Sequence, residues 1–370
     1  MSTVILTDAK YRSAVAAARS LARAGHHVVA VQTRADVSGT PAVFASAAAR
    51  ETRWIGGSVG DAEYPDRLAA LLAEYDAPVV FPVGAATLNL LARERERFAP
   101  LCRALIAPPD VLDALNDKET VHRRAAALGL PVPREFTGVP DVWPVVLKPH
   151  CGEKFGLKAA DRYIIAENET EYRAALERLA PYDPAPIVQE KLTGEGAGAS
   201  LLLDADSRLI GAFCHRRIRE YPVSGGPSTC CESVYDEEKI AQAYALLKSF
   251  GFVGLAMVEF KGASILEVNP RVWGSFPLTD CAGSPLAAHY AAAAAGETVD
   301  YAPCDYETGV RMRFLLNDAA AVLSLLKHGR VREALGGVRD FFAAKEALHR
   351  ADDPGVLRAY LKFTWEERAQ

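Results

Sequence analysis

Short apolar runs alternate with helical segments over the first hundred residues of the chain. Residues 4–6 form a β-branched run, an Ala-rich segment covers 12–24, and a second apolar run follows at 27–31. Residues 78–82 have the composition of a further buried strand, and a helical stretch follows them. This alternation predicts an α/β domain over residues 1–110, built on a doubly wound parallel sheet.

From about residue 111 the pattern changes to strands with few helices between them. Asn116 and Glu119 have the spacing of a capping box, which predicts a helix that ends at Leu128. This pattern predicts an α+β region over residues 111–300. The predicted strands are 145–148, 163–166, 187–189, 199–203, 209–215, 254–260 and 265–268.

The segment 301–370 has amphipathic helical spacing followed by a charged end. We expect a C-terminal helical extension here. Its apolar positions would pack on the protein, contact a second copy of the chain or touch a membrane surface. These positions are Leu323, Leu326, Val331, Leu335 and Val338.

Composition and charge narrow the classes of function. The 370 residues are 50% hydrophobic and 24% charged, which is typical of a globular chain. The formal net charge of −5 argues against nucleic acid as a partner. No apolar stretch approaches the roughly 20 residues of a membrane span, and the cysteines have no disulfide-framework spacing. We therefore expect a cytoplasmic protein whose partners are small molecules.

An apolar strand at 145–148 leads Lys148 into a glycine-containing loop. Backbone amides freed by Gly152 and Gly156 can close around phosphate oxygens, and the lysine adds positive charge. Lys118 lies in the first turn of its helix, where a cation opposes the helix dipole unless an anion is near. These features indicate a phosphate site, or a surface loop whose lysines are solvated.

Two strand-like runs at 254–260 and 264–271 are joined by a short turn, as in a β-hairpin. Glu267 and Asn269 are two residues apart, so they face the same side of their strand. Glu259 faces that side as well if the connecting loop has an odd number of residues. Two carboxylates and an amide oxygen suit a Mg²⁺ ion that bridges phosphates. The alternative is that these acids lie on the solvated face of the hairpin.

Taken in order, these segments resemble the ATP-grasp superfamily, in particular its carboxylate-amine ligase branch with carbamoyl-phosphate-synthetase-like sequence. The resemblance rests on Lys118, the Leu-Lys148-Pro segment with its glycine loop, the Gln-Glu-Lys-Leu-Thr-Gly-Glu run at 189–195, and the two acidic strands that end in Asn269-Pro-Arg271. It covers roughly residues 1–296.

The resemblance implies a domain layout. A pre-ATP-grasp domain would occupy 1–110, and an ATP-grasp domain would occupy 111–300 in two α+β lobes, 111–192 and 193–300. The extension at 301–370 is not explained by it.

The resemblance also implies roles for individual residues. Arg271 and Lys148 would act on the transferring phosphoryl group, and residues 189–192 would line the adenine. Glu195 or a residue beside it would bind the ribose. The implied ATP-binding set is Lys118, Lys148, Gly152, Lys154, Gly156, Gln189, Glu190, Lys191, Leu192 and Glu195. The implied metal ligands are Glu259, Glu267 and Asn269, for two Mg²⁺ ions or for Mn²⁺.

A basic strand followed by a Gly-Pro loop covers residues 215–229. Arg216, Arg217 and Arg219 could clamp a carboxylate, and relatives in this branch carry a similar element close to the acceptor pocket. Together with Ser228 these arginines are candidate substrate residues. The alternative is a solvated basic face.

The expected activity is ATP-dependent ligation of a small carboxylic acid to an amine through an acyl phosphate, with release of ADP and phosphate. Carboxyphosphate-type or kinase-like phosphoryl transfer on the same scaffold is one alternative. A nucleotide-binding regulator without turnover is another. The protein could form a homo-oligomer. Cys230 and Cys231 are adjacent and lack the spacing of a zinc site, which favours a structural role.

Overall fold

The computed structural model describes residues 2–150, 163–223 and 226–368. The predicted N-terminal parallel sheet is present, in the order β3-β2-β1-β4. Val4 and Leu6 pack on one face of this sheet with α1, whereas Ile5 packs on the other face with α2, so helices cover both faces. The elements are β1 Thr3–Thr7, α1 Arg12–Arg23, β2 His27–Thr33, β3 Glu51–Ile55, α2 Tyr64–Leu72, β4 Val79–Pro82, α3 Ala85–Arg93 and α4 Arg95–Phe98.

Two helices, α5 Pro109–Asn116 and α6 Lys118–Ala127, connect this sheet to the rest of the chain. The predicted capping box is wrong by one residue. Asn116 ends α5, and the N-cap of α6 is Asp117, whose side chain accepts a hydrogen bond from the Thr120 amide at 2.7 Å. An aspartate is an equally good cap and its charge favours the helix N-terminus. Lys118 is therefore the first residue of α6.

A small antiparallel sheet in the order β6-β5-β7 follows, covered by one helix. Its core consists of apolar side chains from the sheet and from that helix, with Tyr172 among them. This sheet carries Lys148 at the end of β5 and residues 187–190 in β7. The elements are β5 Val145–Lys148, β6 Ile164–Ala166, α7 Glu169–Leu179 and β7 Ile187–Glu190.

A larger, seven-stranded sheet has the order β12-β11-β8-β9-β10-β13-β14. Its strands pair in antiparallel fashion except β13 with β14. The predicted strand at 209–215 is longer in the structure, and β9 continues to Glu220. The elements are β8 Gly196–Leu203, β9 Leu209–Glu220, β10 Ser228–Val234, α8 Glu237–Ser249, β11 Gly254–Lys261, β12 Ser264–Asn269, α9 Pro277–Cys281 and α10 Leu286–Ala294.

The C-terminal segment is not purely helical, contrary to the prediction. It contributes two strands to the large sheet, and buried Met312 pairs with Cys231 of β10. Strand pairing here is set by the neighbouring strand, which local helical spacing does not report. The elements are β13 Arg311–Arg313, α11 Leu315–Lys327, α12 Val331–Ala343, β14 Lys345–Glu346 and α13 Gly355–Arg368.

The apolar stripe predicted on these helices does not pack on the protein. Leu323 and Leu335, for example, are 59% and 63% exposed, and the other three positions are exposed as well. Ala321, Leu325 and Ala334 form the buried side instead. The interpretation as a packing face is therefore wrong for the five predicted positions. Within the described residues, no helix is long and apolar enough to span a membrane.

Candidate active site

The β11–β12 hairpin brings together the three predicted metal ligands. Glu259 lies directly opposite Glu267 in the strand register, and Asn269 lies two residues farther on the same side. The Asn269 Nδ2 donates a hydrogen bond to Glu259 Oε1 at 3.3 Å. The two carboxylates therefore face one site, where they repel each other unless cations or protons compensate their charge.

Two lysines from other elements supply part of that compensation. Lys118, at the start of α6, places Nζ 3.3 Å from Glu267 Oε2. Lys148, at the end of β5, is almost fully buried and interacts electrostatically with Glu267. Burial lowers the pKa of Lys148 to about 8, although Glu267 opposes the shift. Burial alone would raise the pKa of Glu267, but Lys118, Lys148 and Arg217 together lower it.

Arg217 of β9 compensates the second carboxylate. Its Nη2 donates to Glu259 Oε2 at 2.6 Å, and the two side chains are only 18% and 15% exposed. Burial raises the pKa of Glu259 in spite of this contact. We call Lys118, Lys148, Arg217, Glu259, Glu267 and Asn269 the hairpin cluster. Its donor set of two carboxylates and one carboxamide fits Mg²⁺, which prefers oxygen ligands.

The predicted adenine-lining run follows the edge of β7. The Gln189 side chain is turned inward, where Nε2 donates to Glu135 Oε1 at 3.0 Å and lies 3.0 Å from His122 Nδ1. The Glu190 carboxylate accepts from the Arg134 amide at 2.9 Å. Lys191 is exposed and Leu192 half-buried directly after the strand. The backbone of this run is paired as well, because the amides of Glu190 and Lys191 donate to the Arg134 and Pro144 carbonyls at 3.0 and 3.2 Å.

His122 and Glu135 were missed by the sequence analysis. Both nitrogens of the buried His122 ring are engaged, Nδ1 with Glu135 Oε1 at 2.7 Å and Nε2 with the Leu266 carbonyl at 2.8 Å. The ring thereby links α6 to the strand that carries Glu267. One signal was present, because His122 follows Lys118 by four residues and so lies on the same face of the helix.

The candidate substrate arginines separate into different environments. Arg217 joins the hairpin cluster, whereas Arg216 lies 3.3 Å from Glu232 and 3.7 Å from exposed Glu195. Ser228 opens β10 opposite Glu220.

Arg219 does not have the predicted substrate role. Its Nε and Nη2 bind the two oxygens of Asp318 at 2.8 and 2.9 Å, and its Nη1 binds Asp340 at 2.6 Å. It is 8% exposed. Because all three nitrogens are occupied by carboxylates of α11 and α12, Arg219 anchors the C-terminal helices.

Arg271 follows β12 and connects the cluster to the N-terminal sheet. Its backbone amide donates to the Asn269 carbonyl at 2.8 Å, and its Nη1 donates to the Val272 carbonyl at 3.1 Å. It lines a small apolar cavity together with Pro82 at the carboxyl end of β4 and Tyr290 of α10. Arg271 thus lies where the two sheets meet.

The predicted phosphate loop, with Gly152, Lys154 and Gly156, lies outside the described residues. Cys230 and Cys231 are buried free thiols in β10. Burial raises the pKa of the Cys230 thiol to about 12, and it raises the pKa of Cys231 as well. Both cysteines are protonated at neutral pH, as structural cysteines are.

No protein-family model matches the chain, and no curated protein matches it significantly. Solved structures do match. The biotin carboxylase of Campylobacter jejuni in complex with β-γ-ATP has a TM-score of 0.60 at 15% identity, over 84% of this chain and 74% of that chain. The biotin carboxylase domain dimer of Hydrogenobacter thermophilus 2-oxoglutarate carboxylase, solved with MgADP, ADP and bicarbonate, has a TM-score of 0.63 at 16% identity, over 84% of this chain and 73% of that chain. At these identities the likeness establishes the architecture, and the chain has the ATP-grasp fold of the biotin carboxylases.

Proposed function

We propose that the chain is an ATP-dependent carboxylate-amine ligase that activates a small carboxylic acid as an acyl phosphate and passes the acyl group to an amine. The observation that carries the proposal is the hairpin cluster. Two carboxylates, paired across one hairpin, meet lysines from two other elements, within a fold whose solved examples include an MgADP complex. Arg217 of β9 adds a cation from a third element, and a purely structural ion pair does not need three.

The chemistry follows from the charges in this cluster. Lys118 and Lys148 would neutralise phosphate oxygens, and Glu259, Glu267 and Asn269 would hold Mg²⁺, which when bound offsets the charge of the transferring phosphoryl group. The substrate carboxylate attacks the γ-phosphorus, and the bond to the bridging oxygen of ADP breaks. The amine then attacks the acyl carbon, phosphate leaves, and the amine loses its proton.

Other residues would bind the nucleotide and steady the reacting groups. Residues 189–192 would line the adenine, and Glu195 or a neighbour would bind the ribose. Gly152, Lys154 and Gly156 remain predictions for the phosphate loop. Arg271 suits the phosphoryl group or the tetrahedral intermediate, because it lies two residues beyond the end of the strand that carries Glu267 and Asn269.

The test measures ADP and phosphate release by the full chain with MgATP, against pools of small carboxylates with and without a pool of amines. We expect ADP release only when an acid and an amine are both present. Hydroxylamine in place of the amine should trap the acyl phosphate as a hydroxamate, detected by mass spectrometry. ATP binding without ADP release under any pool would instead favour a nucleotide-binding regulator.

A carboxyphosphate-type reaction is the second candidate. The Hydrogenobacter neighbour was solved with bicarbonate as well as MgADP. Bicarbonate as the sole acid therefore forms a separate arm of the assay. ADP release that depends on bicarbonate, and on no carboxylic acid in the pools, would replace the ligase proposal by this one. A stable phosphorylated product without an amine requirement would identify a kinase.

A further inference from the structure

Arg217 has unused hydrogen-bonding capacity beside a candidate metal ligand. A guanidinium carries five N–H donors. The Nη2 of Arg217 binds Glu259, and its Nη1 reaches the Gly226 carbonyl only at 3.5 Å. Its Nε is buried and has no hydrogen-bond partner among the described residues. A buried unpaired donor is costly, so this arrangement suits a second state in which the donor is filled.

The structure makes special room for the Arg217 side chain. Arg217 lies on β9 and Glu259 on β11, with β8 between them. At Gly196 of β8, an added Cβ would lie 2.9 Å from Arg217 Cδ. The missing side chain at Gly196 therefore lets the arginine pass over the middle strand to the metal-ligand hairpin.

One carboxylate cannot serve a guanidinium and a divalent ion equally well. The contact at 2.6 Å uses Glu259 Oε2, and Glu259 Oε1 already accepts from Asn269. A doubly charged cation bound to Glu259 would lie close to the Arg217 guanidinium. The two positive charges would repel each other strongly in a partly desolvated site. Metal binding would therefore weaken the ion pair and free Nη2 of Arg217. Nε and Nη2 together form the edge that binds a carboxylate bidentately.

We propose that Arg217 is the binding residue for the substrate carboxylate and that Glu259 holds it in a closed state until a divalent cation takes over Glu259. This inference rests on the proposed ligase function. It predicts positive coupling between binding of the metal-nucleotide complex and binding of the acid, and such coupling is reciprocal. Acids would then bind well only after the metal-nucleotide complex is in place.

The first measurement is Mn²⁺ binding to the full chain with saturating ADP and no carboxylate substrate, followed by electron paramagnetic resonance. Arg217→Gln removes the competing guanidinium, so we expect it to bind Mn²⁺ about three- to tenfold more tightly than the wild type. Arg208→Gln is the matched control, because Arg208 is exposed and pairs with Asp204 in the turn before β9. The control should bind Mn²⁺ as the wild type does.

Unchanged or weaker Mn²⁺ binding by Arg217→Gln would overturn the inference. If Arg217→Gln does not fold, as judged by circular dichroism, Arg217→Lys replaces it. A lysine makes one point contact in place of the planar guanidinium edge. We therefore expect Arg217→Lys to bind Mn²⁺ more tightly than the wild type, by a smaller factor than Arg217→Gln. Unchanged Mn²⁺ affinity in Arg217→Lys would also overturn the inference. A wild-type chain that binds neither ADP nor Mn²⁺ would instead contradict the proposed function, which keeps the two failures distinguishable.

Discussion

Two arginines of one strand, Arg217 and Arg219, have opposite surroundings. Arg219 is saturated, with three nitrogens on two aspartates, and Thr229 and Arg311 bind the same two carboxylates. Arg217 makes one short contact and keeps a buried donor unpaired among the described residues. We call Arg219, Thr229, Arg311, Asp318 and Asp340 the Arg219 cluster. The saturated network ties the C-terminal helices to β9, whereas Arg217 keeps donors that our inference assigns to a substrate carboxylate.

The largest effect is expected in the hairpin cluster. Glu267→Gln removes one metal-ligand charge and should lower kcat by about 10³-fold, while the free energy of unfolding changes by less than about 1 kcal/mol. Steady-state kinetics and urea unfolding measure the two quantities. Glu177→Gln, at an exposed position of α7, is the control for both. Near-normal turnover in Glu267→Gln would contradict the metal assignment.

In the Arg219 cluster we expect the reverse, a loss of stability without a loss of turnover. Asp318→Asn breaks a buried bidentate pair and should lower the free energy of unfolding by about 3 kcal/mol, the lower end for such pairs because Arg219 keeps Asp340. Turnover per folded molecule should stay unchanged. Urea unfolding checks this, with exposed Asp76→Asn as the control. Loss of activity without loss of stability would erase the distinction between the two clusters.

Lys148 gives the hairpin cluster a pH signature. Its pKa of about 8 means that it is protonated at pH 7 and largely neutral at pH 9. The affinity for metal-free ADP should therefore fall about tenfold between pH 7 and pH 9. In Lys148→Met the affinity at pH 7 should already be lower and this part of the pH dependence should vanish. Calorimetric titration at several pH values tests this, and an identical pH profile in the variant would speak against Lys148 as a phosphate ligand.

The smallest effect is expected for Arg216, which directly precedes Arg217 in β9. Its ion pairs with Glu232 and Glu195 are long and its side chain is 40% exposed. Arg216→Gln should change the free energy of unfolding by no more than about 1 kcal/mol. It should change the KM for the acid by no more than about fivefold. A tenfold rise in the KM for the acid would return Arg216 to the substrate site and weaken the contrast along β9.

Local sequence patterns predicted the structural features that depend only on residues close in sequence. Strands β1, β2 and β4 of the parallel sheet followed from apolar runs of strand length, whereas β3 was not predicted. The position of Lys148 at the end of β5 also followed from an apolar run. The shared side of Glu267 and Asn269 followed from the period of a strand. The side of Glu259 was left open by the sequence, and a register shift next to Glu259 places it opposite Glu267. The cluster of these residues in space could be expected from the family resemblance, whose motif order reflects the fold.

Long-range partners could not be predicted. The arginines at 216, 217 and 219 look alike in sequence. Arg217 binds Glu259 and Arg219 binds Asp318 and Asp340, which lie up to 121 residues away. The same holds for the pairing of β13 with β10 and of β14 with β13, which joins strands distant in sequence. The inward direction of the Gln189 side chain depends on His122 and Glu135, which lie elsewhere in the sequence.

The strand at the middle of the site, β8, carries glycine at 196 and 198. At Gly198 an added Cβ would lie 2.4 Å from the ring of His215, just as one at Gly196 would meet Arg217. Glycine weakens a strand interior by its flexibility, and a substitution scale based on strand propensity would favour alanine or valine at both positions. Such a scale would misjudge this strand. The missing side chains leave room for Arg217 and His215 to lie across this strand. Substitutions at 196 and 198 are therefore limited by contact with these two side chains.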